Sequence, residues 1–530
     1  MADPKTFQIK IDSVLGGIGA YSDFARKDQF RMSYSIDPDQ AYNTDSIASG
    51  LLRPVAYTKF SGTTITATPM WMTANPKDAN VFVYDSAGSV YTFDSGFTPT
   101  GLADLNDGGT ATGNGLAYYD NYVYAARSTT IARYGPLNGA ATWADDYWVT
   151  TLSKAALEDT TYPNFTGNSI EMPNHPMYRH SDGKLYFGDV VGNQGAIHYI
   201  STTKTTVEGD TDNSSTYNAL DFPYGYWPTA ITGYGTDIAI ALYEGSTTST
   251  TLQRRAKLSF WDTTNPNTYD KLIDVEFPDP IITALLNSNG ILYTFSGQIG
   301  LRGTRICRFV GGYSFEQVAY IEEAFPPSQG AVDGFLNRVV FGSRITSYVD
   351  RAGVDRGGVV FSVGSKKSAI SNEIFSIMGC SSADLTASIT AMGFFEQAGT
   401  GVQRMITGWS NGGASGGSNN GLDRQNNFST AYFTSQKYRL GQPFKITKIR
   451  FPLVEALGSS SVIPTVYIDN SVSTTQLTSM NSTTYPNEQT VVMRPNGMTG
   501  RHTLQLEIKW DSASTPLSLP ITIEGEFLDD

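Results

Sequence analysis

Charged residues and cysteines are scarce in this 530-residue chain, and their scarcity excludes several classes of protein. Charged residues make up 16% of the sequence, against about 25% in an average soluble domain. The two cysteines, Cys307 and Cys380, lie far apart, which fits neither the spacing of metal ligands nor a disulfide framework. We therefore expect two free thiols in a protein that is synthesised in a reducing cytoplasm.

Long apolar segments are missing as well. The longest apolar runs, such as residues 281–286, are far shorter than the roughly 20 residues that cross a bilayer as a helix. Residues 1–5 do not begin a basic region followed by an apolar stretch, which is the pattern of a secretory signal. We expect no membrane span and no signal peptide. If the protein acts outside a cell, lysis of that cell would release it.

Positive charge is in deficit. The net charge is −13 and the isoelectric point is near 4.9, so the chain as a whole does not attract nucleic acid or an anionic membrane. The simplest role of this acidity is solubility. A more specific role is a negative channel wall that repels DNA and lets it slide.

Strand-forming residues dominate what is present. The sequence has 30 Tyr and 27 Phe, and these aromatic residues, with abundant Val, Ile and Thr, favour strands over helices. The 52 Gly and 24 Pro supply the turns that many short strands need. The sequence therefore predicts an all-β protein, with one short helix candidate at residues 153–158.

A loose internal repeat organises the strands. In residues 115–126 two apolar runs flank an Asp120-Asn121 turn, and a third strand follows at residues 130–134, as in the blade of a propeller. Related units recur along the chain, with second strands predicted to start near residues 81, 122, 184, 238, 291, 338 and 389. A repeat of about 50 residues is typical of four-stranded blades. We predict a β-propeller of six blades, or of seven; the alternative is a β-sandwich or β-helix with similar hairpins.

Composition divides the chain into four parts. Residues 1–65 are less regular and are interpreted as an N-terminal arm or irregular β segment, and residues 66–410 as the propeller. Residues 411–427 include a Gly-, Ser- and Asn-rich stretch that is typical of a linker. Residues 428–530 alternate apolar and polar side chains at period two and are predicted to form a C-terminal β-sandwich.

No catalytic, cofactor or metal motif is found. The four histidines, His175, His180, His198 and His502, have no zinc-binding spacing and are interpreted as ordinary strand and loop residues. Nucleophile-elbow, phosphate-loop and dinucleotide-binding motifs are also missing. We therefore predict no catalytic residue, no metal ligand and no cofactor, and expect that the chain is not an enzyme.

Three kinds of site are less well supported by the sequence. A propeller glycosidase needs two carboxylates about 5 to 10 Å apart, yet no pair stands out among the acidic residues expected at strand ends. Two acidic loops, at residues 104–108 and 210–213, have oxygen ligands for calcium but not the full ligand pattern. Three aromatic residues beside two prolines, Tyr224, Tyr226 and Trp227, could form a contact platform, although packing between blades is the simpler role. The acidic candidates are Asp189, Asp221, Glu244, Asp274, Asp333 and Asp350.

In its overall organisation, with loosely repeated blades and a terminal sandwich, the chain resembles propeller proteins of phage tails. The segment at residues 433–441, followed by residues 446–451, looks like the entry into the terminal sandwich, and the nearest type is the nozzle or tail-tube-end protein of short-tailed bacteriophages. No motif of that family is specific, so no site residue is carried over. The resemblance implies a structural virion protein located in the tail and synthesised in the host cytoplasm.

The same resemblance implies a set of partners. They are other copies of the chain in a homo-oligomeric ring, often a hexamer, the adaptor or portal-side ring, the tail fibres, and phage DNA that passes without sequence-specific binding. Two other functions stay open: a receptor-binding spike or fibre, and a propeller hydrolase that degrades polysaccharide.

Overall fold

The computed structural model describes most of the chain, and every structural statement below concerns these residues. They are 5–14, 29–34, 36, 52, 54, 57–65, 67–74, 81–93, 99–104, 115–154, 156–157, 175–201, 219–244, 255–263, 272–298, 301–309, 311–335, 338–347, 354–364, 374–379, 388–397, 402–410, 420–426, 430–473, 476–511 and 515–528.

Nearly all of the regular secondary structure in the described residues is β-strand, which confirms the predicted all-β class. The strands are β1 (Thr6–Ile11), β2 (Met32–Tyr34), β3 (Tyr57–Ile65), β4 (Pro69–Ala74), β5 (Val81–Asp85), β6 (Ser89–Phe93), β7 (Pro99–Asp104), β8 (Gly115–Tyr119), β9 (Tyr122–Ala126), β10 (Ile131–Gly135), β11 (Thr142–Ala144), β12 (Met177–Arg179), β13 (Leu185–Val191), β14 (Gln194–Ile200), β15 (Leu220–Tyr224), β16 (Tyr226–Tyr234), β17 (Asp237–Glu244), β18 (Lys257–Trp261), β19 (Ile273–Glu276), β20 (Ile281–Ser288), β21 (Ile291–Gly297), β22 (Thr304–Phe309), β23 (Glu316–Ile321), β24 (Val332–Phe335), β25 (Arg338–Ser347), β26 (Val354–Val363), β27 (Ile374–Gly379), β28 (Ser388–Gln397), β29 (Val402–Ser410), β30 (Asn420–Asn426), β31 (Thr430–Thr434), β32 (Tyr438–Arg439), β33 (Phe444–Pro452), β34 (Ser461–Ile468), β35 (Ser471–Val472), β36 (Thr490–Met493), β37 (Thr499–Gly500), β38 (Thr503–Asp511) and β39 (Ile521–Phe527).

Seven of the sheets in the described part of the chain have four antiparallel strands each. Sheets 1 to 6 take their strands in chain order: β4 to β7, β8 to β11, β12 to β15, β16 to β19, β20 to β23 and β24 to β27. Sheet 7 has the order β28-β29-β30-β3, so its last strand comes from the N-terminal part of the chain. The register of that last pair runs from Tyr57 opposite Asn426 to Ile65 opposite Asn420.

The first strands of these sheets form a closed cycle. Strand β4 contacts β8, β8 contacts β12, and the series continues through β16, β20, β24 and β28, which contacts β4 again. A four-stranded sheet cannot bury both of its faces alone, and neighbouring sheets of the cycle cover them. Apolar clusters accordingly lie between successive sheets, as with Tyr186 of sheet 3 and Trp261 of sheet 4, whose rings are 5.7 Å apart.

Two further sheets are formed by the C-terminal part of the chain together with its N-terminal strands. The five-stranded sheet has the order β1-β39-β33-β36, with β37 also paired to β33. The six-stranded sheet has the order β2-β31-β38-β34-β35, with β32 also paired to β38. Burial follows the predicted period of two on each half of β33, with Phe444 and Ile446 buried before a register shift and Ile449 and Phe451 buried after it.

The two C-terminal sheets and sheets 5 to 7 share one hydrophobic core. This cluster contains Phe433 and Trp510 from the six-stranded sheet, Phe341 from sheet 6 and Trp409 from sheet 7. An ion pair between Arg31 and Glu323 adds a polar contact at the same junction, because Arg31 adjoins β2 and Glu323 follows β23. Burial of Glu323 raises the pKa of its carboxyl group, and the Arg31 guanidinium acts in the opposite direction.

The turn predicted at Asp120-Asn121 has the expected geometry, and the turn between β20 and β21 is similar. Asp120 and Asn121, between β8 and β9, have φ angles of 46° and 66°, and Asn289, between β20 and β21, has a φ of 53°. Positive φ at the central positions is what a two-residue hairpin turn requires, and Asn and Asp tolerate it well.

The structure differs from the sequence expectations at three places. The strand predicted to start near residue 389 is β28, the first strand of its sheet, and the second strand is β29. Residues 420–426, within the predicted linker, form β30. A π-helical turn lies at Tyr147–Thr151, whereas residues 153, 154, 156 and 157 of the helix candidate are not helical. Ser153, with a φ of 54°, has a left-handed conformation that does not continue a helix.

Helices are few in the described residues: besides the π-helical turn, a 3₁₀ turn lies at Gln329–Ala331. None of them is long and apolar enough to cross a membrane.

Close backbone contact within the cycle gives a test of its packing. A Cβ atom on Gly330 would lie 2.0 Å from the carbonyl oxygen of Met70 in β4, so Gly330→Ala should force the 3₁₀ turn away from sheet 1. We expect a loss of about 1–3 kcal/mol in the free energy of unfolding, which is typical of overpacked sites, measured by chemical denaturation. In the control Gly458→Ala, the added methyl group meets open space. Equal stability of the two variants would contradict this packing.

Candidate functional site

A histidine–aspartate cluster lies where sheets 2 and 3 meet. His175, just before β12, is buried; its Nδ1 lies 3.0 Å from the carbonyl oxygen of Gly188 in β13, and its Nε2 lies 3.1 Å from that of Ser128. Ser128 belongs to the turn between β9 and β10. A single imidazole ring therefore bridges the backbones of two neighbouring sheets.

Asp189 in β13 is the acidic member of this cluster. Its side chain is buried, with Oδ1 3.5 Å from Nδ1 of His175 and Oδ2 3.4 Å from Nε2 of His198 in β14. The backbone N–H of Val190 donates a hydrogen bond of 2.8 Å to Oδ1. The ring of Trp148, on the π-helical turn, covers His198 at 5.6 Å. This environment isolates the carboxylate from solvent.

The other two histidines lie outside this cluster. His180, buried after β12, has Nδ1 3.3 Å from Oδ1 of Asp182. His502, before β38, is exposed. Within the described residues, no group of three His, Cys, Asp or Glu side chains is placed to hold a metal ion.

The acidic candidates from the sequence are spread over several sheets. Asp189 and Asp221 lie in sheet 3, Glu244 ends β17, Asp274 lies in the outer strand β19, and Asp333 lies in β24. Asp274 accepts a hydrogen bond from Ser259 and lies 3.9 Å from Nζ of Lys257. Asp350 lies outside the described residues.

Only one pair of these acids is aligned across a described sheet. Asp189 and Asp221 both lie opposite Ala196 of β14, on its two sides. Two strand spacings separate them by about 10 Å, the upper end of the range for a glycosidase. Asp189 is buried and already engaged by Val190 and two histidines, so a sugar cannot reach it without disrupting the cluster.

The predicted aromatic platform is divided between surface and interior. Tyr224 is 73% exposed. Trp227 is buried and its indole N–H donates to Oδ1 of Asn193 at 2.9 Å. Lys257 lies over the ring of Tyr226. The three rings therefore do not share one open face, and Trp227 has the packing role that was the simpler expectation.

The cysteines and the acidic loops do not contribute to the cluster. Cys307 in β22 is buried, and its burial raises the pKa of the thiol to about 12, so the thiol is unreactive at neutral pH. Cys380, residues 105–108 of the first acidic loop and residues 210–213 of the second lie outside the described residues.

Sequence reasoning missed a set of polar contacts that join neighbouring sheets. The hydroxyl of Tyr84 in sheet 1 donates to the carbonyl of Ala126 in sheet 2 at 2.9 Å, and that of Tyr119 in sheet 2 donates to Gly183 in sheet 3. Thr229 in sheet 4 donates to Ile282 in sheet 5 at 2.8 Å. The partners are backbone carbonyls far away in sequence, which leave no residue pattern that could have revealed them.

Gln329 and Ser328 make further contacts of this kind. The amide of Gln329 accepts from the N–H of Leu285 at 2.7 Å and donates to its carbonyl at 2.9 Å. Ser328 donates to the carbonyl of Thr390 in sheet 7 at 2.8 Å. The connection between sheets 5 and 6 is thereby hydrogen-bonded to sheet 5 and to sheet 7. These polar side chains contribute to the packing of the cycle.

Known proteins give little guidance. No protein-family model matches the chain, and no curated protein matches it. Among solved structures, the β-propeller domain of Cps50 (Swd1) from Myceliophteria thermophila is 9% identical, with a TM-score of 0.38, and the match covers 68% of this chain and 98% of that one. The computationally designed Ika8 protein is 12% identical over 72% of this chain and 87% of that one, with a TM-score of 0.36.

A third similar structure is the putative oxidoreductase (glucose dehydrogenase) from Thermus thermophilus. It is 13% identical over 55% of this chain and 94% of that one, with a TM-score of 0.35. All three TM-scores are too low to carry an argument, so neither an activity nor a binding partner transfers from these proteins.

The pH dependence of stability tests the burial of Asp333 in β24, the first strand of sheet 6. Burial raises the pKa of Asp333 to about 6, against the opposing hydrogen bond from the N–H of Gly334. Because the carboxyl group binds its proton more tightly in the folded chain than in the unfolded one, its favourable contribution is lost as the pH rises through 6. Asp333→Asn should therefore raise the unfolding midpoint relative to the native chain at pH 8 and leave it nearly unchanged at pH 4. The measurement is urea denaturation at constant ionic strength, and a difference independent of pH would contradict the prediction.

Proposed function

We propose that the seven four-stranded sheets are the blades of a β-propeller, and that the two C-terminal sheets form a β-sandwich. The closed cycle of first strands supports the propeller, as does the completion of sheet 7 by β3. The buried, alternating face of β33 supports the sandwich.

We further propose that this molecule is a structural protein of a bacteriophage tail, a nozzle or tail-tube-end subunit in a ring around the DNA channel. The observation that carries the proposal is the use of polar side chains. In the described part of the chain, polar groups such as the buried Asp189 and Thr229 and the half-buried Gln329 are engaged within and between neighbouring sheets. Their arrangement serves mechanical rigidity, and even the cluster of His175, Asp189 and His198 is buried.

The charge of the chain supports the same function. With a net charge of −13, the protein repels the phosphate backbone overall, which suits a channel that DNA must pass without being held. The expected partners are other copies of the chain, the adaptor or portal-side ring and the tail fibres, in the tail of a virion whose proteins are synthesised in the host cytoplasm.

The N-terminal strands pair with strands from the far end of the chain, and this arrangement supports a role in a part of the virion that resists force. Strands β1 and β2 belong to the C-terminal sheets, β3 closes sheet 7, and the whole cycle lies between β3 and β30 in the sequence. Pulling the C-terminal sheets away from the cycle would require breaking the shared hydrophobic core and the Arg31–Glu323 ion pair.

Electron microscopy of the purified full-length chain tests this function. We expect ring-shaped particles with cyclic symmetry, six-fold by the resemblance, around an open centre, and the same ring at the tail end in images of the intact virion. Three-fold particles would contradict the nozzle function and favour a receptor-binding spike or fibre. Release of reducing ends from host polysaccharide would instead show a hydrolase, and the control Asp189→Asn would report whether the aligned carboxylates are responsible.

A further inference from the structure

The five-stranded C-terminal sheet has an apolar side and a basic side. The apolar side of β33 is buried in the shared core, and the other side of the strand carries Lys445, Lys448 and Arg450, which are half-buried or exposed. Lys10, on the end strand β1, is exposed as well. Lys10 and Arg450 are both opposite Thr522 of β39, so they lie on the same side of the sheet.

Two glutamates of β39 lie among these cations. Glu526 is opposite Lys445 in the register, and Glu524 lies 2.5 Å from Nζ of Lys448 and 3.3 Å from Nε of Arg450. With four cations and two carboxylates, this side of the sheet is positively charged, although the chain as a whole has a net charge of −13. The basic face is defined by Lys10, Lys445, Lys448, Arg450, Glu524 and Glu526.

Negative charge and exposed apolar side chains lie together at one end of sheets 4 and 5. Asp237 begins β17 and Asp262 directly follows β18, and the two strands are paired up to that point. The hydroxyl of Tyr313 donates to Oδ2 of Asp237 at 2.9 Å. That hydrogen bond raises the pKa of the hydroxyl most, and the charges of Asp237 and Asp262 raise it further, so both carboxylates act on the same ring.

Two apolar side chains are exposed beside these carboxylates. Tyr313 is 41% exposed and Ile273 is 42% exposed. Ile273 is opposite Phe260, two residues before Asp262, so it lies at the same end of sheet 4. A partly exposed aromatic ring with an aliphatic neighbour is typical of the central contacts of protein interfaces. The acidic end is defined by Asp237, Asp262, Ile273 and Tyr313.

The basic face and the acidic end belong to different regions of the molecule. Tyr313 precedes β23, whereas Glu323 follows β23 and joins the cycle to the C-terminal sheets through Arg31. The six residues of β23 span about 20 Å. A contact between these two surfaces therefore involves two copies of the chain, and each copy keeps one surface of each kind for a further neighbour.

We propose that the basic face of one copy of the chain docks on the acidic end of a second copy, in a head-to-tail contact. Opposite charges select this pairing and oppose contact between identical surfaces. Contacts between two different surfaces give a closed ring when the rotation between copies closes, so the proposal rests on the ring of the proposed function and supplies its interface. The overall negative charge disfavours DNA as the occupant of the basic face, because the phosphates would be repelled by the rest of the chain.

Charge reversal on both surfaces tests the contact in the full-length chain. Lys10→Glu with Lys445→Glu reverses the basic face and leaves the pair of Lys448 and Glu524 in place, while Asp237→Lys with Asp262→Lys reverses the acidic end. Each double variant alone should associate about a hundredfold more weakly than the native chain, since like charges then face each other. An equimolar mixture of the two should associate again. Sedimentation equilibrium at low ionic strength measures these constants, and added salt should weaken the association of the native chain.

The matched control is Arg255→Glu with Arg501→Glu. It makes the same change in net charge as the reversed basic face, at exposed positions elsewhere, and should leave the association intact. The urea midpoint shows whether each variant folds, and Lys10→Gln with Lys445→Gln replaces the charge reversal if the glutamate variant does not.

Several outcomes would overturn the contact: a native chain that stays monomeric at every ionic strength, an equal loss of association in the control, or a mixture of the two double variants that stays dissociated. Normal rings formed by the Lys10→Glu, Lys445→Glu variant would refute this contact and leave the tail function standing. Charge-dependent association as expected, without any such ring at the tail of the virion, would refute the tail function and leave the contact standing.

Discussion

The antiparallel pairing of β3 with β30 is the constraint on which the cycle of sheets depends. Without β3, sheet 7 would present the backbone of β30 as an open edge, and its place beside sheet 1 would rest on contacts such as those between β28 and β4. The paired residues are far apart in the sequence, as with Tyr57 and Asn426. Loop closure over such a distance remains feasible because its entropic cost grows only by about 0.6 kcal/mol for each doubling of loop length, and each successive sheet shortens the gap that remains.

The second strands of the sheets were predictable from sequence, and the last two strands of sheet 7 were not. Second strands such as β9 and β21 are buried on both faces, so they form apolar runs next to recognisable turns. Strand β30, with the sequence NGLDRQN, and β3, with YTKFSGTTI, have mixed polar compositions with no apolar run. Main-chain pairing stabilises a strand whatever its side chains are. Composition and the lack of regular apolar runs therefore assigned residues 411–427 to a linker and residues 1–65 to an arm or irregular β segment.

The candidate site was less predictable than the fold. His175, Asp189 and His198 come from the start of one sheet and from two of its strands, while their partner Ser128 belongs to another sheet. The prediction of ordinary strand and loop histidines followed from spacing alone, and it missed that His175 and Asp189 are buried together. An aspartate in the strand sequence LYFGDVV, among apolar neighbours, was the one available signal, since such a residue needs a buried partner.

The low charge content of the chain and its interior polar contacts have a common physical cause. In a cycle of sheets most strands face a neighbouring sheet on each side, so lysine and glutamate have few solvated positions, whereas the short side chains of Ser, Thr and Asn can bond to a nearby carbonyl without occupying the space of an apolar residue. Thr229 and Ser328 do so between sheets. The imidazole of His175 likewise bridges sheets 2 and 3, through the carbonyls of Gly188 and Ser128. The polar contacts between neighbouring sheets are therefore made by side chains that add little to the charge of the chain.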